Sequence, residues 1–200
     1  MELTDRFNRA LVRAAEIHRH QIRKCSEGDP EIPYISHLLN VCGLVLQDGG
    51  SEDEAIAALL HDAPEDQGGE PMLEEIEAEF GPNVAKIVTE CSDTFEHPKP
   101  PWRHRKEEYL AHLPEASLSA LRVSVADKLD NARATLLDYR RLGEDLWARF
   151  NVGRDQQLWY YRSLVTTYRE IDGFESPMIN ELDRVVTELE GVVDRKTNNL

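Results

Sequence analysis

The chain has 200 residues, enough for one packed domain and short for two. Apolar residues make up 40% of it, which fits a globule rather than a disordered chain, and no apolar run reaches the length of a membrane span. Acidic residues outnumber basic ones 38 to 23, a net charge of -15; this disfavours a nucleic-acid-binding face, and a polyanionic ligand would need a metal and a local basic cluster to overcome the repulsion.

The N-terminal stretch mixes charges with apolar residues at helical spacing. It lacks the uninterrupted apolar core of a secretory signal, so the expected compartment is the cytoplasm. Phe7, Ala10, Leu11, Ala14, Ala15, Ile17 and His18 form one stripe of a first helix. Gly28, Asp29, Pro30 and Pro33 break it, so residues 25 to 35, Glu27 among them, read as a loop. Ser36 is the expected N-cap of a helix through Leu38, Val41, Leu44 and Val45, which Asp48-Gly49-Gly50 ends. Ser51 with Glu54 forms a capping-box signature. The following run, Ala55 to Leu60, is apolar nearly all round and predicts a central buried helix. Pro64 should end or kink it just after His61-Asp62.

Further along, short helices are expected at 71 to 80 and 82 to 92, with Gly81-Pro82 between them. Glu96 to Pro101 is a Pro-rich loop. Helices follow from Arg103 to Leu113 and from Ser117 to Asp138, and then at 144 to 150, 154 to 172 and 178 to 193. No segment alternates for long enough to predict a strand. Cys25, Cys42 and Cys91 match no metal or redox spacing and read as reduced, buried or half-buried thiols.

The sharpest local feature is His61-Asp62 at the end of a buried helix. Polar groups are costly there unless paired or bound to metal, and imidazole with carboxylate suits a divalent transition ion. A satisfied histidine beside a helix-terminal aspartate is the plainer alternative. Glu65 and Asp66 lie four residues after each of that pair, as an exposed acidic turn or as groups that act on an attacking water. His37 opens a helix, as a core or capping histidine or as a ligand. Asp127 lies within an amphipathic helix, as a ligand or in a salt bridge with a nearby Arg or Lys. Basic residues for an anion occur at Arg23-Lys24, at Arg103, Arg105 and Lys106, and at Lys128 and Arg133. The histidines at 18, 20, 97, 104 and 112 share no spacing and read as structural or surface groups.

Taken in order, Arg23-Lys24, Pro33-Tyr34-Ile35-Ser36-His37, Ala58-Leu59-Leu60-His61-Asp62-Ala63-Pro64-Glu65-Asp66 and Ala126-Asp127-Lys128-Leu129-Asp130-Asn131 resemble the HD hydrolase domain of the Rel/SpoT family, above all its stand-alone small alarmone hydrolases of the metazoan SpoT-homologue type. Phe80-Gly81-Pro82 sits where that family has a Phe-Gly turn. The resemblance implies an all-α HD-domain bundle of about eight to ten helices. It implies one hydrolase domain over 1–200, with a core at about 7–140 and the C-terminal helices 141–200 packed on it. It also implies a divalent metal, typically Mn2+, held by His37, His61, Asp62 and Asp127. Glu65 and Asp66 would handle the water, and Arg23, Lys24 and Asn131 would contact the nucleotide.

The implied reaction removes pyrophosphate from the 3′ position of (p)ppGpp. Other readings are an HD phosphohydrolase acting on a dNMP, NADPH or an adenosine alarmone, and a metal-bound regulatory module without turnover. The expected partner is a small nucleotide, with no nucleic acid and no membrane, and a homo-oligomer is left open. Departures from the family pattern are the longer loop after Lys24, Leu38 in place of a proline, Pro64, and Gln67-Gly68-Gly69. All four spare the implied ligands and bear on the substrate.

Overall fold

The computed structural model describes residues 2–26, 28–94 and 98–197, so Glu27, Glu96 and His97 lie outside the described residues. Among the described residues the secondary structure is helical throughout, with one isolated antiparallel bridge, Ile22 to Pro33. The α-helices are α1 (Asp5–Ile17), α2 (Ile35–Gln47), α3 (Glu52–Leu60), α4 (Gly69–Phe80), α5 (Pro82–Cys91), α6 (Trp102–His112), α7 (Leu118–Leu142), α8 (Arg154–Glu170) and α9 (Pro177–Thr197). None of them is long and apolar enough to cross a membrane.

Helix α3 is the axis of the molecule. Ala55 to Leu60 are fully buried, and three of these six side chains are single methyl groups, which lets α1, α2, α5 and α7 approach from every side. Its start is fixed by the expected capping box: the Ser51 side chain accepts from the Glu54 N–H, and Glu54 accepts from the Ser51 N–H. One continuous apolar core runs from Ala10 on α1 to Val193 on α9.

Several boundaries differ from the sequence expectation. Helix α2 starts at Ile35 after Tyr34, so Ser36 lies inside its first turn and does not cap it. The Ser36 and His37 N–H groups are already satisfied by the carbonyls of Pro33 and Tyr34, which removes the need for a side-chain cap. The Ile22–Pro33 bridge, with Arg23 N–H on Ile32 C=O and Tyr34 N–H on Gln21 C=O, narrows the expected loop from both ends. Residues 143 to 149 form a 3-10 segment (Gly143–Arg149) in place of an α-helix, opened by Gly143 at φ 62°. Pro64 does interrupt the helix: Pro64–Gly68 is a single π turn. Gly69, at φ 61° and ψ -145°, reverses the chain into α4, a conformation that glycine alone takes readily.

The loop after Lys24 is clasped from the far end of the chain. Arg149, only 4% exposed, donates to Ser26, Asp29 and Asp138, and Arg141 also reaches Asp29. The clasp and the 3-10 segment together wall one side of a cleft.

Candidate metal and nucleotide site

Four elements deliver the site. Helix α2 contributes His37 from its first turn. The C-terminus of α3 contributes His61 and Asp62. The π turn contributes Glu65 and Asp66, and the middle of α7 contributes Asp127, Asp130 and Asn131. The cleft above them has a volume of about 1280 Å³ and is lined by Arg23, Lys24, Asp62, Glu65, Asp66 and Asn131, together with Lys99, Arg105 and Lys106.

His37, His61 and Asp127 are buried, and one ligand atom from each lies within 4.8 Å of the others. His37 Nε2 is 3.2 Å from Asp127 Oδ1 and 3.6 Å from Asp62 Oδ2; His61 Nε2 is 3.2 Å from Asp62 Oδ2 and 3.7 Å from Asp127 Oδ1. The opposite edge of each ring is committed. His61 Nδ1 meets the Ala58 carbonyl at 2.9 Å and His37 Nδ1 meets Asp130 Oδ2 at 2.6 Å. A carbonyl and a carboxylate only accept, so both Nδ1 atoms carry the proton. Both Nε2 atoms are buried without a hydrogen-bond partner and face the two carboxylates. A buried polar atom without a partner is costly, and a divalent ion between these groups would relieve it. The donor set of two imidazoles and two carboxylates therefore fits a divalent metal.

The electrostatics agree. Burial opposes a charge on His37, but Asp127, Asp130 and Asp62 override it and raise its pKa to about 10. His61 is raised as well, against burial, by Asp62 and Asp127. Asp62 and Asp127 stay well below the usual carboxylate range despite burial, Asp62 through the histidines and Asp127 chiefly through Lys128. Lys128 Nζ sits 2.6 Å from Asp127 Oδ2, and Asn131 donates to Asp127 Oδ1. Asp127 is thus held from both edges.

Glu65 accepts from Lys99 at 2.8 Å. Asp66 accepts from Gln21 at 2.7 Å, and burial together with the Asp62 charge raises its pKa. Arg23 donates to Asp130 at 3.0 Å and to Asn131 at 3.1 Å. Lys24 sits 5.5 Å above the Phe150 ring, and burial lowers its pKa, partly offset by Asp66. Of the other basic residues, Arg105 and Lys106 line the cleft and pair with Asp93. Arg103 leaves the cluster and stacks on Trp159, 3.2 Å from the ring centroid, and Arg133 pairs with Glu181.

Four more side chains belong to this constellation, and of these the sequence singles out only Lys128, beside Asp127. Tyr34 donates to Asp62, Gln21 holds Asp66, Lys128 holds Asp127 and Asp130 holds His37. Asp130 was findable, since it stands three residues after Asp127 on one helix and so shares its face. His18, expected to be structural, is buried and stacks on Tyr34 at 5.2 Å between ring centroids.

The sequence profile of the HD domain family matches residues 10–156. The chain is 37% identical over 175 residues to the Xenopus tropicalis guanosine-3′,5′-bis(diphosphate) 3′-pyrophosphohydrolase MESH1, covering 86% of this chain and 88% of that one. It is 36% identical over 141 residues to the Homo sapiens MESH1, covering 70% and 72%. Among solved structures, that of a metazoan ortholog of SpoT described as hydrolyzing ppGpp superposes with a TM-score of 0.73 at 27% identity, over 94% of this chain and 97% of that one.

Proposed function

The chain belongs to the HD domain family, and on that premise we propose that it is a metal-dependent nucleotide pyrophosphohydrolase that removes the 3′-pyrophosphate of (p)ppGpp, leaving GDP or GTP. The observation that carries this reading is the pair of orphaned Nε2 atoms, on His37 and His61, that converge with Asp127 and with Asp62, the last of which lines a cleft rich in cationic side chains. His37, His61, Asp62 and Asp127 are the ligands in this proposal, with Mn2+ as the working ion. When bound, that ion supplies the Lewis acidity that makes a water nucleophilic and draws charge from a phosphoryl group.

The rest of the chemistry belongs to this chain. A bond forms between the water oxygen and the phosphorus next to the ribose 3′ oxygen, and the bond from that phosphorus to the 3′ oxygen breaks. The water proton passes to Asp66 or Glu65, and the 3′ oxygen leaves as a hydroxyl after taking up a proton. Asp66, whose pKa burial and the Asp62 charge raise, is kept in place by Gln21, and Glu65 by Lys99. Arg23, Lys24 and Asn131 contact the nucleotide, and Lys99, Arg105 and Lys106 offset phosphate charge that a chain of net charge -15 would otherwise repel. The whole chain acts as one hydrolase domain, with α8 and α9 as its buttress. Three free thiols suit the reducing cytoplasm.

The test incubates manganese-loaded protein with ppGpp, its adenosine counterpart, NADPH and simple nucleotides, and identifies products by chromatography. GDP and pyrophosphate from ppGpp, at a rate well above the others, is the expected result. Release of single phosphates only, or turnover of none of them, overturns the alarmone assignment.

A further inference from the structure

Asp130 meets three donors from two parts of the chain. Its Oδ2 accepts from His37 Nδ1 at 2.6 Å and from Arg23 at 3.0 Å, and its Oδ1 accepts from Asn40 at 2.9 Å. The residue is 8% exposed. His37 lies 93 residues away in sequence and Arg23 lies 107 away, so the carboxylate joins α7 to α2 and to the segment that carries the basic pair.

We propose that Asp130 is the positioning residue that sets both halves of the site, fixing the metal-facing edge of His37 and the guanidinium of Arg23 through one carboxylate. The inference rests on the reading of His37 as a metal ligand given above. An imidazole can place its proton on either nitrogen and can flip about its bond to Cβ. Only the form with the proton on Nδ1 and a lone pair on Nε2 points a ligand atom at Asp127 and Asp62. A carboxylate against Nδ1 selects that form and that orientation. The same oxygen holds Arg23 against the cleft wall, where it also reaches Asn131.

The chemistry of the three partners explains why the group is an acid. Each is a donor, so both edges of the residue at 130 must accept. An asparagine offers one accepting oxygen and one donating nitrogen, and whichever way it turns it sets a donor against a donor. Asp130→Asn therefore keeps the shape and loses the function.

The test compares wild type, Asp130→Asn, Arg23→Ala and the double variant, each checked by circular dichroism for native helix content. Titration with manganese alone reads the metal half. Asp130→Asn should weaken the apparent Kd roughly 10- to 100-fold, the usual cost of losing a group that orients a ligand histidine. Proton spectra of the zinc-loaded protein read orientation separately from charge. The strongly bonded His37 Nδ1 proton should lie far downfield in the wild type, and should move upfield and exchange faster in Asp130→Asn. KM for ppGpp reads the arginine half. It should rise in both single variants, with the double variant no worse than Arg23→Ala because both act through one contact.

A folded Asp130→Asn protein that binds manganese within about twofold of wild type, or one whose His37 proton does not move, overturns the proposal. Additive KM effects overturn the link to Arg23. A wild-type protein that leaves ppGpp untouched refutes the substrate assignment instead, and the metal and proton measurements still decide on Asp130.

Discussion

His37 and His61 both present Nε2 to the same point because each has its Nδ1 engaged, by Asp130 and by the Ala58 carbonyl. That arrangement makes the two halves of the site separable by mutation. His61→Ala or Asp127→Ala removes a donor from the buried set and should abolish tight binding of about one divalent ion per chain. Metal analysis after gel filtration checks this, and full occupancy in both variants would refute the ligand assignment. Glu65→Gln lies on the π turn outside that set, so it should retain the ion while turnover falls roughly 100- to 10,000-fold, the range for a placed acid–base group. Near-normal turnover with metal in place would make Glu65 a partner of Lys99 and nothing more. The sequence made His37, His61 and Asp127 legible because their order and spacing follow a known pattern, and the structure brings them within 4.8 Å. Tyr34 and Gln21 had no such signal. Their partners, Asp62 and Asp66, are acidic groups made costly by burial, and which hydroxyl or amide answers each one depends on how the segment between α1 and α2 packs against the end of α3 and the π turn.

Helix α3 is short and poor in large side chains, yet it carries two groups of the site at its C-terminal end. Its position depends on its cap and on burial. Ser51→Ala removes one half of the reciprocal cap, and the unfolding free energy should drop by about 1 kcal/mol in urea denaturation, with metal stoichiometry unchanged. Leu59→Ala, at a fully buried position, should cost roughly 2 to 5 kcal/mol in the same assay. Equal losses would contradict the ranking of core above cap. Elements of this kind were legible: an all-apolar run, a capping box and a proline stop are local signals, and α3, α4, α5 and α7 lie close to where periodicity places them. The misplaced ones are those in which local preference gave way. The start of α2 is set by carbonyls of the preceding turn rather than by Ser36, and residues 143 to 149 tighten to a 3-10 form behind Gly143.

At the scale of the whole molecule, binding of an ion and binding of protons exclude one another. His37, with its pKa raised to about 10, is protonated at neutral pH in the metal-free protein, and coordination requires the neutral ring. Manganese affinity should therefore rise with pH through neutrality, by up to about tenfold per pH unit for each proton displaced. Calorimetry in buffers of different ionisation enthalpy should detect the released protons; pH-independent affinity would contradict the assignment. An ion held at about 100 times its Kd adds about 2.7 kcal/mol to stability, which for a chain of this size raises Tm by roughly 5 to 10 °C over the chelated protein. The Arg149 clasp carries a consequence of another kind, in time. The wall of the cleft joins Asp29 to a residue 120 positions later, and Arg23 to one 107 positions later. During synthesis the first basic pair leaves the ribosome well before α7 and the 3-10 segment exist to receive it. The nascent chain can bury α1 to α3 early, but it holds no finished cleft until Arg149 has been translated, so a product that stops short of Arg149 should be helical yet inert.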